Sequence, residues 1–340
     1  MSRHTVITEA VRNGDWPSLE QEAFRWSESP DANPTAFFLL NVVYLLRGDF
    51  RNAWKMHEKS LQEGTDIEEV RKWIDAMQSE HPDNGGIQLV VGLFLAQSGQ
   101  SERSVSCYDK AATLIPASPY PHFFLAQIYQ RMGRPDQAIK TYREAIKRDP
   151  NYVAARLNLG VLYQEQNQLE MAIPQYREVL KLSPDYLLAH TNLACALAEQ
   201  GKIEAAILEY KKALEINPND PEIHFALGGI YDAKGRKDLA KREYDESLRL
   251  NPEFFPAATA IGWFFIEKGQ MDFALDFFSQ ALKANPNDAS ATFGVGRVYD
   301  AKRKGSLAAE HYHRALQLET DPDRKTRIMN FIDKVGGYQV

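Results

Sequence analysis

Residues 119–152 read PYPHFFLAQIYQRMGRPDQAIKTYREAIKRDPNY, and residues 153–186 follow directly with VAARLNLGVLYQEQNQLEMAIPQYREVLKLSPDY. Aligned without a gap, the two stretches share a small residue (Ala126, Gly160), an alanine (Ala138, Ala172), a tyrosine (Tyr142, Tyr176) and a proline (Pro150, Pro184). The register extends in both directions. Pro116, Pro150, Pro184, Pro218, Pro252 and Pro286 are each 34 residues apart. With Pro at position 32, the units run 85–118, 119–152, 153–186, 187–220, 221–254, 255–288 and 289–322. Position 8 is Gly or Ala throughout, and position 24 is Tyr except for Phe278. Position 20 is Ala except for Ser104.

Each column has a physical reason. Apolar residues recur at helical spacing on both sides of a short break, as in Leu125-x3-Tyr129 and Ala138-x3-Tyr142-x2-Ala145. The break carries Gly99, Gly133, Gly201, Gly235 and Gly269 at position 15, where a helix that ends left-handed needs glycine. Asn167 replaces glycine once, and Asn is the next most tolerant residue. Small residues at positions 8 and 20 let two antiparallel helices approach, and the position 24 ring fills the space beside them. Proline at position 32 stops the second helix. One such pair cannot bury its apolar face alone, so neighbouring pairs must stack.

The pattern resembles the tetratricopeptide repeat, whose period is 34 and whose motif lies at positions 4, 7, 8, 11, 20, 24, 27 and 32. The resemblance implies an all-α, right-handed superhelical solenoid of antiparallel helix pairs. Position 4 departs from the family's Trp, holding His122, Arg156, His190 and His224; these read as packing variants rather than ligands. The pattern fades at both ends. Residues 1–33 read as a diverged helical pair broken near Asn13-Gly14. Residues 34–84 read as a diverged repeat (Leu40, Tyr44, Gly48, Ala53) plus an extra helix from about Ile67 to Glu80. The last unit has Arg303 at position 15 and Gly305 two residues on, which predicts an altered turn. Residues 323–340 read as a capping helix and tail, with Ile328, Phe331, Ile332 and Val335 on one stripe.

Composition and motifs narrow the function. Lys and Arg number 40 against 46 Asp and Glu, a net charge of −6, which disfavours a nucleic-acid binder. The charge is uneven: residues 1–84 are net −6 and residues 289–340 net +3. Two cysteines, Cys107 and Cys195, read as reduced thiols. The first thirty residues lack the apolar core of a signal peptide, and no window reaches the ~20 residues of a membrane span, so the expected compartment is the cytoplasm. There is no Walker loop, H-E-x-x-H, C-x-x-C or nucleophile elbow. His311 and His313 point about 200° apart on one helix, a poor start for a metal site. No enzyme, cofactor or metal is expected.

The resemblance further implies that positions 2, 5, 6, 9, 12 and 13 face a concave groove. The family's carboxylate clamp is absent, since positions 2 and 5 hold no Lys and position 9 no Asn. Asn158 and Asn192 at position 6 resemble the asparagine ladder of the solenoid attached to O-linked N-acetylglucosamine transferase, whose amides hold a peptide backbone. An apolar strip lies at Phe38, Val42, Leu89, Leu93, Phe123 and Phe124, with Gln127 beside it. It reads either as an open surface for a partner or a second copy of the chain, or as a face covered by residues 1–28 or 67–80. A second patch combines Trp263, Ile266 and Phe293, and reads either as an interface anchor or as packing. The expected function is a non-catalytic protein-interaction module, an adaptor, scaffold or chaperone that binds a peptide or helix in its groove. Alternatives are a self-assembling scaffold, a regulatory subunit of an enzyme complex and a peptide-signal receptor.

Overall fold

The 34-residue period becomes one antiparallel helix pair per unit in the computed structural model, which describes residues 3–29, 34–47, 52–53, 55–56, 59 and 67–336. The described residues form nineteen α-helices and no strand. They are α1 (Arg3–Asn13), α2 (Trp16–Ser27), α3 (Pro34–Arg47), α4 (Ile67–Glu80), α5 (Gly85–Gln97), α6 (Ser101–Leu114), α7 (Tyr120–Arg131), α8 (Pro135–Arg148), α9 (Val153–Glu165) and α10 (Leu169–Leu182). Then come α11 (Leu187–Glu199), α12 (Ile203–Ile216), α13 (Pro221–Ala233), α14 (Lys237–Leu250), α15 (Phe255–Glu267), α16 (Met271–Ala284), α17 (Ala289–Ala301), α18 (Gly305–Leu318) and α19 (Pro322–Gly336). The chain packs as two units, Met1–Ala189 and His190–Val340. None of the described helices is long and apolar enough to cross a membrane.

Helix α8 shows how a second helix forms. Pro135 and Asp136 occupy its first turn and Lys147 and Arg148 its last, matching the helix dipole at both ends. Its buried stripe is Ala138, Ile139, Tyr142 and Ala145. The same stripe recurs as Ala172, Ile173, Tyr176 and Val179 in α10. Burying such a ring contributes about 2–3 kcal/mol. The close approach that position 8 allows is direct: a Cβ on Gly160 would lie 2.5 Å from the Tyr176 ring. Position 24 rings also touch position 6 of the following unit. Phe124 stacks on Tyr108 at 6.0 Å, and a Cβ on Gly294 would lie 2.3 Å from Phe278. Position 6 is therefore a packing column between successive pairs as well as a surface position.

The turns hold a correction. Gly99, Gly133, Gly201, Gly235 and Gly269 have φ between 68° and 80°, and Asn167 has 57°. Arg303 joins them at 56°. Its amide donates to Asp300 O, and the Lys304 amide donates to Tyr299 O. Gly133 and Arg134 make the equivalent bonds to Gln130 and Tyr129. The turn after α17 is thus the same as the others, because the pair of turn hydrogen bonds outweighs the strain of a side chain in the left-handed region. Arg303→Gly should relieve that strain and stabilise the protein by about 1 kcal/mol. Chemical denaturation of the two proteins checks this; an unchanged or lowered midpoint counts against it.

The position 4 side chains tie a first helix to its surroundings. Arg156 Nε donates to Pro150 O at 2.8 Å. His224 bonds Glu243 through Nδ1 at 2.8 Å and Pro218 O through Nε2 at 3.2 Å. His190 Nδ1 lies 2.7 Å from Glu209, and the hydrogen bonds from Lys212 and His190 hold that carboxyl below its usual range although burial raises it. His122 differs. The carbonyl it would use, Pro116 O, is taken by Arg148 Nε at 2.8 Å. Among the described residues the buried His122 Nε2 has no partner. Burial and the nearby Arg148 push its pKa below the ordinary 6.5, although Glu144 acts in the opposite sense. The folded protein therefore resists a proton that the unfolded chain accepts, so this group costs stability as pH falls below 6.5. Melting temperature should drop less steeply between pH 7 and 5.5 in His122→Gln than in wild type; parallel slopes would refute the assignment.

Candidate functional site

The first unit's apolar strip is not open. Phe38, Val42, Leu89, Leu93, Phe123 and Phe124 are all at most 5% exposed. This corrects the reading of Phe38, Val42, Leu89 and Phe123 as partner contacts, and with it the apolar N-terminal groove as a route to a second copy; Leu93 and Phe124 turn an edge to the cleft described next. The cover comes from the chain itself. Helices α1 and α4 pack on α5 and α3. Asn84 Nδ2 donates to Arg12 O at 3.1 Å, and Phe38 meets Phe94 edge-on at 5.8 Å. Helices apolar nearly all round must be buried, and here extra helices do it.

A cleft of ≈ 700 Å³ opens beyond that cover. It runs across three successive first helices, α5, α7 and α9. Its lining follows the repeat register: Leu93, Gln127 and Val161 at position 9, Ala96 and Gln130 at position 12, and Gln97, Arg131 and Glu165 at position 13. Phe124 and Asn158 enter from position 6, and the rings of Tyr108 and Tyr142 from position 24. The floor is thus apolar and the walls carry amides, one guanidinium and one carboxylate.

The polar groups are ordered by hydrogen bonds among themselves. The Tyr142 hydroxyl donates to Gln130 Oε1 at 3.3 Å and accepts from Asn158 Nδ2 at 3.4 Å. Gln130 Nε2 reaches Glu165 at 3.4 Å. Gln97 Nε2 donates to the buried Asn41 at 2.6 Å, and Asn41 in turn to Ala53 O at 2.7 Å. Burial raises the Tyr142 phenol far above its ordinary value, against the opposing hydrogen bond from Asn158. Tyr142 is therefore a fixed neutral donor and acceptor at any physiological pH. Gln127 is half-buried at the wall.

The structure brings Gln127 and Asn158 together in this cleft. Asn192 is half-buried and lies in the second unit. In that unit Trp263 is half-buried, packed on Phe278 at 5.4 Å and on Phe293 at 5.8 Å. Its Nε1 donates to Ser290 Oγ at 3.0 Å. Ile266 packs against the same core. Phe293 lies 5.3 Å from Tyr312 and 5.3 Å from Phe331 of α19, so the last helix covers it. Packing holds all three in place and leaves each of them half-buried. Residues that the sequence reading did not single out are Gln97, Tyr108, Gln130, Arg131, Tyr142, Val161 and Glu165. Their signal was present in positions 9, 12, 13 and 24, but it was spread over three repeats as polar and apolar residues of ordinary type.

Comparison with known proteins follows the same register. The tetratricopeptide repeat profile matches residues 125–186, 225–289 and 259–324, and a TPR repeat profile matches residues 195–235. Together these matches span more than half of the chain. PilF of Pseudomonas aeruginosa superposes with a TM-score of 0.52 at 21% identity, over 61% of this chain and 94% of that one. A tetratricopeptide repeat protein from Parabacteroides merdae gives 0.59 at 15% identity, over 73% and 98%. Yeast Tom70 gives 0.55 at 12% identity, over 99% and 88%. Identities this low show the fold. No protein of curated function matches the sequence. The periodic columns, the helix pairs and these matches together establish that the chain belongs to the tetratricopeptide-repeat family and is a protein-interaction module.

Proposed function

We propose that the cleft across α5, α7 and α9 holds an extended segment of a partner protein, and that the chain acts as a non-catalytic adaptor or scaffold. The observation that carries this is the convergence of Gln127, Gln130 and Asn158 over one apolar floor. An amide offers both a donor and an acceptor, so it matches a peptide backbone whatever the side chains. The floor of Leu93, Phe124 and Val161 takes the apolar side chains that alternate with it. Gln130 and Asn158 are held by buried Tyr142, so little order has to be imposed on these two amides on binding.

The test is a screen of short synthetic peptides with free C-termini against wild type and Gln127→Trp, which fills the cleft. Peptides that bind wild type and lose at least tenfold in affinity for Gln127→Trp support the proposal, provided both proteins melt alike. Binders indifferent to the filled cleft, or no binders, would overturn it.

A further inference from the structure

The Tyr108 hydroxyl is a polar group of the cleft that makes no hydrogen bond to the described residues. In three units the position 24 hydroxyl bonds the residue twelve before it, at position 12: Tyr142 to Gln130 at 3.3 Å, Tyr176 to Gln164 at 2.9 Å and Tyr312 to Asp300 at 3.4 Å. For Tyr108 the corresponding residue is Ala96, whose side chain cannot accept. Tyr108 is 1% exposed, lines the cleft, and its hydroxyl has no hydrogen-bond partner among the described residues. The hydroxyl reaches the cleft rather than being sealed in the core, so a ligand acceptor can bond it directly.

Arg131 converges on the same point. Its guanidinium reaches Ala96 O at 3.4 Å through one nitrogen, and the side chain is otherwise exposed at the cleft edge. A guanidinium carries five donors, so most of them are free of that contact. A hydroxyl whose donor is not taken up by the protein and a cation with spare donors together favour an anionic acceptor. The other charge of the lining, Glu165, belongs to the third helix and is engaged by Gln130.

We propose that the Tyr108–Arg131 end of the cleft binds a carboxylate of the docked segment, from an Asp or Glu side chain or from a C-terminus. This rests on the peptide reading of the cleft given above. O–H and guanidinium donors to a carboxylate form charge-assisted bonds, the strong class of hydrogen bond. Positions 24 and 13 are not those of the family's carboxylate clamp, whose Lys and Asn are missing here. The arrangement also orients the segment, with its carboxylate toward α5 and α7 and the remainder along the amides toward α9.

The experiment extends the peptide screen. Each binding peptide is remade with its acidic side chains as amides, and separately with an amidated C-terminus. All forms are titrated against wild type, Tyr108→Phe and Arg131→Gln. Tyr108→Phe deletes a hydroxyl with no protein partner, and Phe already serves at this position in Phe278, so the melting temperature should hold or rise. One carboxylate-to-amide change should cost about tenfold in affinity on wild type, and which one does so identifies the source. The same change should cost clearly less on Tyr108→Phe and on Arg131→Gln than on wild type, and Tyr108→Phe itself should bind the carboxylate form about tenfold more weakly. Binders lost with Gln127→Trp but indifferent to the carboxylate or to Tyr108→Phe overturn this inference and leave the cleft reading standing. Binders indifferent to Gln127→Trp, or none, overturn both.

Discussion

Gly86→Ala should detach the N-terminal helices from the rest of the first unit. A Cβ at this position would lie 2.1 Å from the carbonyl oxygen of Val11. That oxygen is backbone, and it already accepts the Gly14 amide at 3.2 Å, so no side-chain rotation can make room. Helix α1 must move, and with it the Asn84 bond to Arg12 O. Overpacking costs typically 1–3 kcal/mol and occasionally more, and a backbone clash this short puts the expected loss at about 3 kcal/mol. The consequence reaches past stability. Phe38, Val42 and Leu89 lie in the region that α1 and α4 help cover, so the variant should bind a hydrophobic dye and self-associate while the second unit stays folded. Light scattering and limited proteolysis read both effects. A variant that stays monomeric and melts like wild type would show that α1 does not cover this face.

Pro174→Ala should have an effect of similar size and opposite sign. Pro174 lies inside α10 and is exposed, five residues after the helix begins. Having no N–H, it cannot bond the carbonyl of Glu170, and its ring presses on that turn. Alanine restores the donor, and in a helix interior the two residues differ by about 3 kcal/mol. The expected result is a gain of about 2–3 kcal/mol, read from the denaturation midpoint. Helix α10 packs against α9, which carries Asn158 and Glu165. Peptide affinity measured alongside therefore reports whether the cleft depends on the proline in that turn. A gain below about 0.5 kcal/mol would mean that the helix has already relaxed around the proline.

Most of the fold was legible in the sequence, and the reason is local. A solenoid repeats one supersecondary unit, so each packing constraint prints a column every 34 residues. Gly133 at the turn, Ala138 at the close approach and Tyr142 beside it answer to contacts within one pair or with its immediate neighbour. Arg303 shows the limit of reading identity alone. Glycine is the preferred residue for a left-handed turn, but the turn's hydrogen bonds impose the conformation on arginine too.

The cleft was legible only in outline. Asn158 and Gln127 stand at groove positions by register, but the apolar strip beside them has the same hydropathy whether it meets a partner or the chain's own helices. The sequence by itself determined the repeat, the helix pairs, every glycine or asparagine turn and the family, because these rest on short-range sterics and on periodic burial. Only the tertiary structure decided that Phe38, Leu89 and Phe123 are core, that α19 covers Phe293, and that Tyr108 stands unpaired beside Arg131. Those outcomes depend on which helix from outside the period lands on which face, and on a missing acceptor at Ala96. The first is a property of packing between elements distant along the chain, which no single repeat encodes; the second lies within one repeat, and the folded pair shows that no other described residue takes the place of the missing acceptor.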